Sequence, residues 1–330
     1  MPAIRAYRVF EEGKFGAGRF TSMRSEELDA GDVVIRSLFA SVNYKDALTA
    51  LGKARIVNRF PCTAGIDVCG EVVESSAPGF KAGDCVVVHG FGIGADHDGG
   101  YQEVNRFPAE WLVKVPSPLT PFETAAIGVA GYTAALSVDL MELNGLQPAK
   151  GKVLVNGATG GAASIAIDLL SGRGYEVVAL SGKSGAAADY LRLLGASEII
   201  DRKSYEFGTR ALERPLWQGA VDSVGGEQLG WLARSMQTDG VIAAFGNAGG
   251  SDFKGSVLPY ILRGVRLIGV YGNSPMPLRT RIWQRLASDL RPRHLERIAR
   301  RIRFDDLPQA FNDLIDAKAV GRMVVDFSLG

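Results

Sequence analysis

The hydrophobic and polar positions of the chain fall into three successive patterns. Up to about Pro121, short apolar runs rich in β-branched residues alternate with turns of Gly, Pro and Asp, which predicts a compact, mostly antiparallel barrel. From about Phe122, continuous apolar strands alternate with helical segments, a pattern typical of a parallel sheet covered on both faces. From about Asn273, two amphipathic helices precede a final strand at Met323–Phe327.

These patterns predict an α/β protein with two domains. Residues 123–272 are expected to form a doubly wound domain of the dinucleotide-binding type. Residues 1–122 are expected to form the mostly-β domain, with strands such as Asp32–Arg36, and residues 273–330 to return to it.

Composition excludes several classes of protein. The chain is 46% hydrophobic and its net charge is +1, so it has no global field that would hold nucleic acid or an anionic membrane. Its three cysteines have no paired spacing, which fits a reducing compartment. The N-terminus lacks the apolar core of a signal peptide, and the apolar stretch 124–136 is shorter than the roughly 20 residues that span a bilayer. We therefore expect a soluble, cytoplasmic protein.

The strongest local motif is a Gly-rich turn that follows the predicted strand Val153–Asn156. Its spacing, Gly157-x-x-Gly160-x-x-Ala163, is a variant of the dinucleotide fingerprint, in which glycines allow a tight turn and a close approach to pyrophosphate. The helix that follows supplies backbone N–H groups and positive potential. The alternative is a merely structural turn. We predict cofactor contacts at Thr159, Gly160, Gly161 and Ala162.

The end of the next strand indicates which dinucleotide is bound. NAD-selective sites usually have Asp or Glu there, whereas this strand ends in Ser181-Gly182-Lys183. Ser181 can donate a hydrogen bond, and Lys183 and Arg202 can bring positive charge to a 2′-phosphate. NADPH is therefore the predicted cofactor; the alternative is that these cations are solvated surface residues. Topology adds four predicted contacts at strand ends and on nearby helices: Thr133, Asn247, Ile261 and Gly272.

Several motifs occur in a characteristic order along nearly the whole chain. They are Ala40–Asp46, Phe60–Val72, Ala130–Leu136, the Gly-rich turn, Ser181–Lys183 and Gly321–Val325. With them the chain resembles the zinc-free, quinone-oxidoreductase-like branch of the medium-chain dehydrogenase/reductase superfamily. The resemblance implies a GroES-like catalytic domain and a Rossmann domain.

The same resemblance implies that no metal is bound. Zinc alcohol dehydrogenases of the superfamily carry Gly-His-Glu where this chain has Gly65-Ile66-Asp67, and a Cys ligand where it has Asn43. A catalytic zinc needs about three ligands, and Ile66 cannot provide one.

Within that branch, Asn43–Leu48 and Ser181–Lys183 most resemble bacterial NADPH-dependent acryloyl-CoA reductases. The resemblance implies reduction of acryloyl-CoA to propanoyl-CoA, by hydride transfer to the β-carbon and protonation at the α-carbon. Tyr44 would contact the nicotinamide half of the cofactor and orient or protonate the substrate, unless it is a structural residue of the barrel. Asn43 could hydrogen-bond the carbonyl where negative charge develops.

Several alternatives stay open at this point. The same fold serves quinone and general enone reductases, and a protein that binds NADPH without turnover is a third possibility. Arg322 could reach a phosphate of cofactor or substrate, or pair with Asp326. Nine arginines between Arg279 and Arg303 form either a docking surface for coenzyme A phosphates or a solvated helix face. The segment 265–270, at a predicted sheet edge, could pair with its copy in a homodimer, as in family members.

Overall fold

A computed structural model of the chain describes residues 3–329, and they divide into two compact units. The first unit contains the chain up to Ala130, Asn273–Trp283 and the segment from Ala299; the second contains Gly131–Gly272 and Gln284–Ile298. Residues 284–298 are predicted to belong to the first domain, whereas the structure groups them with the second unit. It also places 123–130 in the first unit.

Ion pairs explain why residues 284–298 belong with the second unit. Arg285 Nη1 lies 2.8 Å from Asp139 Oδ1, and Arg285 Nη2 lies 3.0 Å from Glu142 Oε2. The buried carboxylate of Asp168 accepts hydrogen bonds from the backbone N–H of Arg293 and from His294 Nδ1, at 2.7 and 2.8 Å. Amphipathic periodicity gives no sign of such distant partners.

The elements of the described residues are numbered in chain order. The strands are β1 (Ile4–Phe10), β2 (Ala17–Met23), β3 (Val33–Val42), β4 (Cys62–Thr63), β5 (Asp67–Ser75), β6 (Cys85–His89), β7 (Val104–Phe107), β8 (Val113–Lys114), β9 (Val153–Asn156), β10 (Val177–Ser181), β11 (Ala196–Asp201), β12 (Trp217–Asp222), β13 (Met236–Ala244), β14 (Arg266–Gly269), β15 (Ala299–Ile302) and β16 (Arg322–Asp326). The helices are α1 (Tyr44–Ala50), α2 (Pro121–Leu143), α3 (Gly161–Gly172), α4 (Ala188–Leu193), α5 (Gly226–Ser235), α6 (Leu258–Arg263), α7 (Met276–Leu286), α8 (Leu295–Ile298) and α9 (Leu307–Ile315).

The first unit contains two sheets that are mostly antiparallel, as predicted. Three strands pair in the order β2-β1-β4, and a larger sheet has the order β15-β16-β3-β5-β6-β8, with β7 also beside β3. The final strand β16 pairs with β3, where Met323 lies opposite Val42, so the end of the chain does return to this unit. Side chains such as Ile35, Val68 and Phe107 form its buried core.

The second unit contains a six-stranded parallel sheet in the order β11-β10-β9-β12-β13-β14. In sequence order within the sheet this is 3-2-1-4-5-6, the order of the doubly wound dinucleotide-binding fold. Every residue of β9, β10 and β12 is buried, as expected of apolar strands covered on both faces. The predicted fold class is confirmed.

Helix α2 extends beyond the apolar stretch 124–136 at both ends. It spans 23 residues and is long and apolar enough to cross a membrane, yet 78% of its most apolar 18-residue segment is buried inside the protein. Gly128 interrupts it with φ +49°, so it is two helical segments joined at a break. No other helix of residues 3–329 is comparably long and apolar.

Candidate functional site

The predicted phosphate loop lies between β9 and α3. Gly157 has φ +59°, and a β-carbon there would collide with Ser223 Oγ, so the turn requires glycine. Gly160 precedes α3, and Gly161 and Ala162 begin that helix, whose first turn leaves backbone N–H groups without intrahelical partners. Thr159 is buried beside the exposed Gly160. Strand, turn and helix therefore fit a pyrophosphate in the way the sequence predicts.

A buried polar pair lies directly beneath this loop. Asn156 Nδ2, at the end of β9, donates to Asp222 Oδ1, at the end of β12, at 2.5 Å. Asn156 Oδ1 accepts the backbone N–H of Ser223 at 2.7 Å, and Asp222 accepts that of Gly225 at 3.1 Å. Burial raises the pKa of Asp222, an effect that these hydrogen bonds partly offset. Local sequence patterns single out neither residue.

The end of β10 carries the cations that were predicted to select NADPH. Arg202 Nη2 lies 3.2 Å from the position that a β-carbon on Gly182 would take, so its guanidinium lies close to this backbone. Ser181 Oγ accepts the backbone N–H of Lys183 at 3.0 Å, and burial lowers the pKa of the Lys183 amine. The neighbouring carboxylate of Asp201 caps its own turn by accepting the N–H of Lys203 at 2.9 Å. This strand end therefore fits a phosphorylated ribose.

The other predicted cofactor contacts of the second unit are dispersed. Thr133 lies in α2, Asn247 is exposed in the loop after β13, and Gly272 is the last residue before the chain returns to the first unit. Ile261 is 69% exposed on α6. Its place beside a nicotinamide stays a prediction.

The first unit contains a buried network centred on Asp67. Asp67 Oδ1 accepts the backbone N–H of Ser41 at 2.9 Å, and Oδ2 accepts the N–H of Val129 at 2.9 Å and Nδ2 of Asn43 at 3.2 Å. The break in α2 makes the Val129 contact possible, because a β-carbon on Gly128 would lie 2.6 Å from Asp67 Oδ2. One carboxylate therefore joins β3, β5 and α2.

Arg322 completes this network instead of reaching outward. It is 3% exposed, and its guanidinium donates to Asn43 Oδ1 at 2.9 Å, to the Ala126 carbonyl at 3.2 Å and to Ser41 Oγ. Contact with a cofactor phosphate would require leaving these partners, so the geometry argues against that prediction. The alternative pairing with Asp326 is wrong, because Asp326 pairs with Arg301 at 2.6 Å.

The network also occupies the side chain of Asn43. Its two amide protons face Asp46 Oδ2 and Asp67 Oδ2, at 3.1 and 3.2 Å, while its oxygen accepts from Arg322. Direct contact between Asn43 and a substrate carbonyl stays a prediction, and this arrangement argues against it. A positioning role fits better, because Asn43 caps α1 immediately before Tyr44.

Asp46 anchors the start of α1. Its carboxylate accepts from the backbone N–H of Asn43 at 2.9 Å, from that of Ile66 at 3.0 Å and from the Tyr101 hydroxyl at 3.0 Å. Burial, followed by the charge of Asp67, raises the pKa of Asp46 to about 7 despite these hydrogen bonds. The residue is fully enclosed, so it acts on the helix and not on a ligand.

Tyr44 is the exposed member of this region. It is the first residue of α1 and 40% of its surface is accessible, in contrast to its buried neighbours Asn43 and Asp46. An exposed phenol on a helix whose N-terminus is held by a buried network is available to a ligand. The structural alternative, a tyrosine enclosed in the barrel, does not describe this side chain.

The residues that were compared with zinc ligands show no metal cluster. Within residues 3–329, no group of three or more His, Cys, Asp or Glu side chains is placed to hold a metal ion. Asp67 and Asp46 instead face the guanidinium of Arg322 and amide groups. Cys62 and Cys69 are buried, and burial raises the pKa of both thiols.

The Arg-rich segment has mainly internal partners. Arg279 is fully buried and stacks its guanidinium over Phe91, 4.4 Å from the ring centroid. Arg285 and Arg301 pair with carboxylates of their own units. Neither a docking surface for coenzyme A nor a purely solvated face describes these three side chains.

Comparisons with known proteins place this fold and these residues in a family. The alcohol dehydrogenase GroES-like domain family matches residues 29–117. YhfP of Bacillus subtilis, provisionally named a quinone oxidoreductase, is 43% identical over 307 residues, covering 92% of this chain and 93% of that protein. The acrylyl-CoA reductase AcuI of Ruegeria pomeroyi is 40% identical over 302 residues, covering 91% of each chain.

Solved structures agree with the sequence relatives. The yhdH oxidoreductase of Salmonella enterica, in complex with NADP, superimposes with a TM-score of 0.94 at 37% identity, covering 98% of this chain and 99% of that one. The YhfP structure has NAD bound and superimposes with a TM-score of 0.95. The chain belongs to the medium-chain dehydrogenase/reductase superfamily of oxidoreductases, in its quinone-oxidoreductase-like branch. The sequence resemblance is confirmed.

Proposed function

We propose that the chain is an NADPH-dependent reductase of activated C=C bonds, and that it converts acryloyl-CoA to propanoyl-CoA without a metal ion. The observation that carries the coenzyme assignment is the end of β10, where the guanidinium of Arg202 lies close to Gly182, next to Lys183. Relatives named as acrylyl-CoA reductases, at 40% and 39% identity, support the substrate.

The residues that would hold the pyrophosphate and the phosphorylated ribose of the coenzyme lie in the second unit, and Tyr44 of the first unit would contact its nicotinamide half. The Gly157–Gly161 turn and the start of α3 would receive the pyrophosphate. Ser181, Gly182, Lys183 and Arg202 would receive the phosphorylated ribose, since charge-assisted hydrogen bonds to phosphate are among the strong ones. When bound, NADPH supplies the hydride that the β-carbon of the substrate accepts.

The first unit would supply the substrate-directed groups. The Tyr44 hydroxyl is proposed to orient the thioester or to donate the proton that the α-carbon needs after hydride addition. Asn43, Asp46, Asp67 and Arg322 would hold the start of α1 so that Tyr44 keeps one position. Preorganisation of this kind is a large part of enzyme catalysis.

A quinone or general enone acceptor is the second candidate. The relative with 43% identity carries a quinone oxidoreductase name, and its structure has NAD bound in place of NADP. A protein that binds NADPH without turnover would share the same loop and cations.

An acceptor panel separates these functions. Oxidation of NADPH, followed by its nicotinamide absorbance, is measured with acryloyl-CoA, with benzoquinone, with a simple enone and with no acceptor. Turnover specific to the thioester supports the proposal; turnover with quinone alone supports the second candidate. Saturable binding without oxidation by any acceptor would indicate a non-catalytic protein.

Isotope labels test the proposed route of hydride and proton. NADPH deuterated at the transferred position should place deuterium at the β-carbon of propanoyl-CoA, and reaction in D₂O should place it at the α-carbon. Mass spectrometry of the product distinguishes the two positions. Label from the coenzyme at the α-carbon would contradict the proposed chemistry.

We also propose a cytoplasmic homodimer. Strand β14 lies at the edge of the six-stranded sheet, and near it Val257, Ile261, Leu262 and Tyr271 are more than 60% exposed. An unpaired edge beside exposed apolar side chains favours pairing with a second copy.

A further inference from the structure

We propose that Asn156 and Asp222 are positioning residues that hold the Gly157–Gly161 turn in the shape that receives a dinucleotide pyrophosphate. The proposal rests on the NADPH binding proposed above. Both side chains are fully buried, so neither can contact a ligand directly. They contact the protein around the turn instead.

Asn156 and Asp222 connect the ends of two neighbouring strands. Asn156 and Asp222 are the last residues of β9 and β12, which are neighbours in the parallel sheet. Their side chains are joined by the 2.5 Å hydrogen bond from Asn156 Nδ2 to Asp222 Oδ1. The carboxyl ends of parallel strands are where ligands bind in this fold. The pair therefore fixes the spacing of the strands on which the turn is built.

Hydrogen bonds through Ser223 connect this pair to Gly157. Asn156 Oδ1 accepts the backbone N–H of Ser223 at 2.7 Å, and Ser223 Oγ returns a hydrogen bond to the Asn156 carbonyl at 2.8 Å. These two bonds place Ser223 Oγ against the α-carbon of Gly157, where any side chain on residue 157 would collide with it. The amide of Asn156 therefore positions the Ser223 hydroxyl that lies against the turn.

The carboxylate of Asp222 also holds the backbone that follows β12. Asp222 Oδ1 accepts the backbone N–H of Val224 at 3.3 Å, and both carboxylate oxygens accept that of Gly225 at 3.1 Å. The side-chain oxygens and nitrogen of the pair all have partners within the protein. Buried polar groups that lose one partner carry a desolvation cost, so replacing either residue should displace the turn.

The test compares a ligand whose pyrophosphate would bind at the turn with a ligand that has no pyrophosphate. NADPH carries a pyrophosphate, whereas adenosine 2′-monophosphate (2′-AMP) presents the 2′-phosphate without one. Titration calorimetry measures both affinities in Asn156→Asp, in Asp222→Asn and in the double variant that exchanges the two groups. Each single variant should bind NADPH about tenfold or more weakly, with 2′-AMP affinity within about twofold of wild type. The exchange, which restores one amide facing one carboxylate, should recover most of the loss.

Two controls keep the outcome interpretable. Ser235→Ala removes a buried hydrogen bond to the Trp231 carbonyl in the same unit, and it should leave both affinities unchanged. If a variant of the pair does not fold, Ser223→Ala provides a milder version, with NADPH affinity expected to fall about threefold to tenfold.

Three results would overturn the proposal. The first is unchanged NADPH affinity in the folded variants. The second is a parallel loss of NADPH and 2′-AMP affinity, which would mean general disruption of the second unit. The third is an exchange variant no better than the worse single variant. Absence of NADPH binding by the wild-type protein would instead remove the proposed function, and this inference with it.

Discussion

The guanidinium of Arg202 lies close to the backbone of Gly182: Nη2 is 3.2 Å from the position that a β-carbon on residue 182 would take. A glycine therefore lets the cation lie close to the end of β10, where NAD-selective proteins usually carry a carboxylate. This relationship motivates a direct test of coenzyme choice.

Arg202→Ala should weaken NADPH binding by about tenfold to a hundredfold, because it removes a charge-assisted contact to the 2′-phosphate. NADH has no such phosphate, and its affinity should change by less than about threefold. Fluorescence titration with both coenzymes measures the two constants. Lys203→Ala, at the next exposed cation, is the matched control. Equal losses for both coenzymes would contradict a phosphate contact.

Lys183→Asp should weaken NADPH much more than NADH, since a carboxylate beside Ser181 repels a 2′-phosphate and accepts from ribose hydroxyls. Lys183→Arg keeps the charge and should preserve the preference. The ratio of KM values for NADPH and NADH reports the change. An unchanged ratio in Lys183→Asp would remove this residue from the pocket.

Arg322→Met should lower the free energy of unfolding by about 3–5 kcal/mol, because it leaves Asp67 buried without its cation. Release of Asn43 should reduce kcat, while the dissociation constant of NADPH stays within about twofold. Arg36→Met, on β3, breaks an exposed ion pair with Glu71 and should cost about 1 kcal/mol or less. A tenfold weaker NADPH affinity in Arg322→Met would instead support the phosphate contact that the geometry disfavours.

Asp46 should make the stability of the protein depend on pH. Because its folded pKa is about 7, above the ordinary carboxyl value, the folded state holds this proton more tightly than the unfolded chain. The free energy of unfolding should therefore fall as pH rises from about 4 to about 7, by up to about 4 kcal/mol relative to Asp46→Asn. Urea denaturation across this range gives the difference. Parallel curves for the two proteins would show that Asp46 is ionised throughout.

Leu267→Lys should convert the proposed dimer to a monomer. Leu267 lies on the edge strand β14 and is 36% exposed, and a charge on an edge strand opposes pairing with another copy. Sedimentation velocity measures the state. Leu193→Lys, on α4 and similarly exposed, should leave the association unchanged. A wild-type monomer at micromolar concentration would contradict the dimer itself.

The parallel sheet could be predicted because its signals are local. Strand β9 and the turn at Gly157 are read from one apolar run followed directly by glycines, and the predicted bounds of β9 are those of the structure.

Two elements of the first unit escaped prediction for different reasons. Helix α1 is short and of mixed polarity, although its capping box of Asn43 and Asp46 is a signal that could have revealed it. Strand β15 carries two adjacent arginines, Arg300 and Arg301, which suggested a solvated helix. Its pairing with β16 is a tertiary fact that overrides local preference.

The buried network was beyond reach of local patterns. Ser41 and Arg322 are separated by 281 positions, yet they share a hydrogen bond. The family resemblance implied a ligand contact for Asn43, and the sequence left a phosphate contact and a pairing with Asp326 both open for Arg322. The same residue types also satisfy buried carboxylates, and only the fold distinguishes the two uses.

The pairing of β16 with β3 has a consequence for synthesis of the protein on the ribosome. One edge of residues 39–42 in β3 pairs with β16, so this strand edge stays unpaired until residues 322–326 have been synthesised. Chains truncated before Arg322 would expose that edge. They would also leave the Asp67 carboxylate buried without the cation of Arg322. Such fragments should be captured by chaperones or degraded, because exposed strand edges promote aggregation.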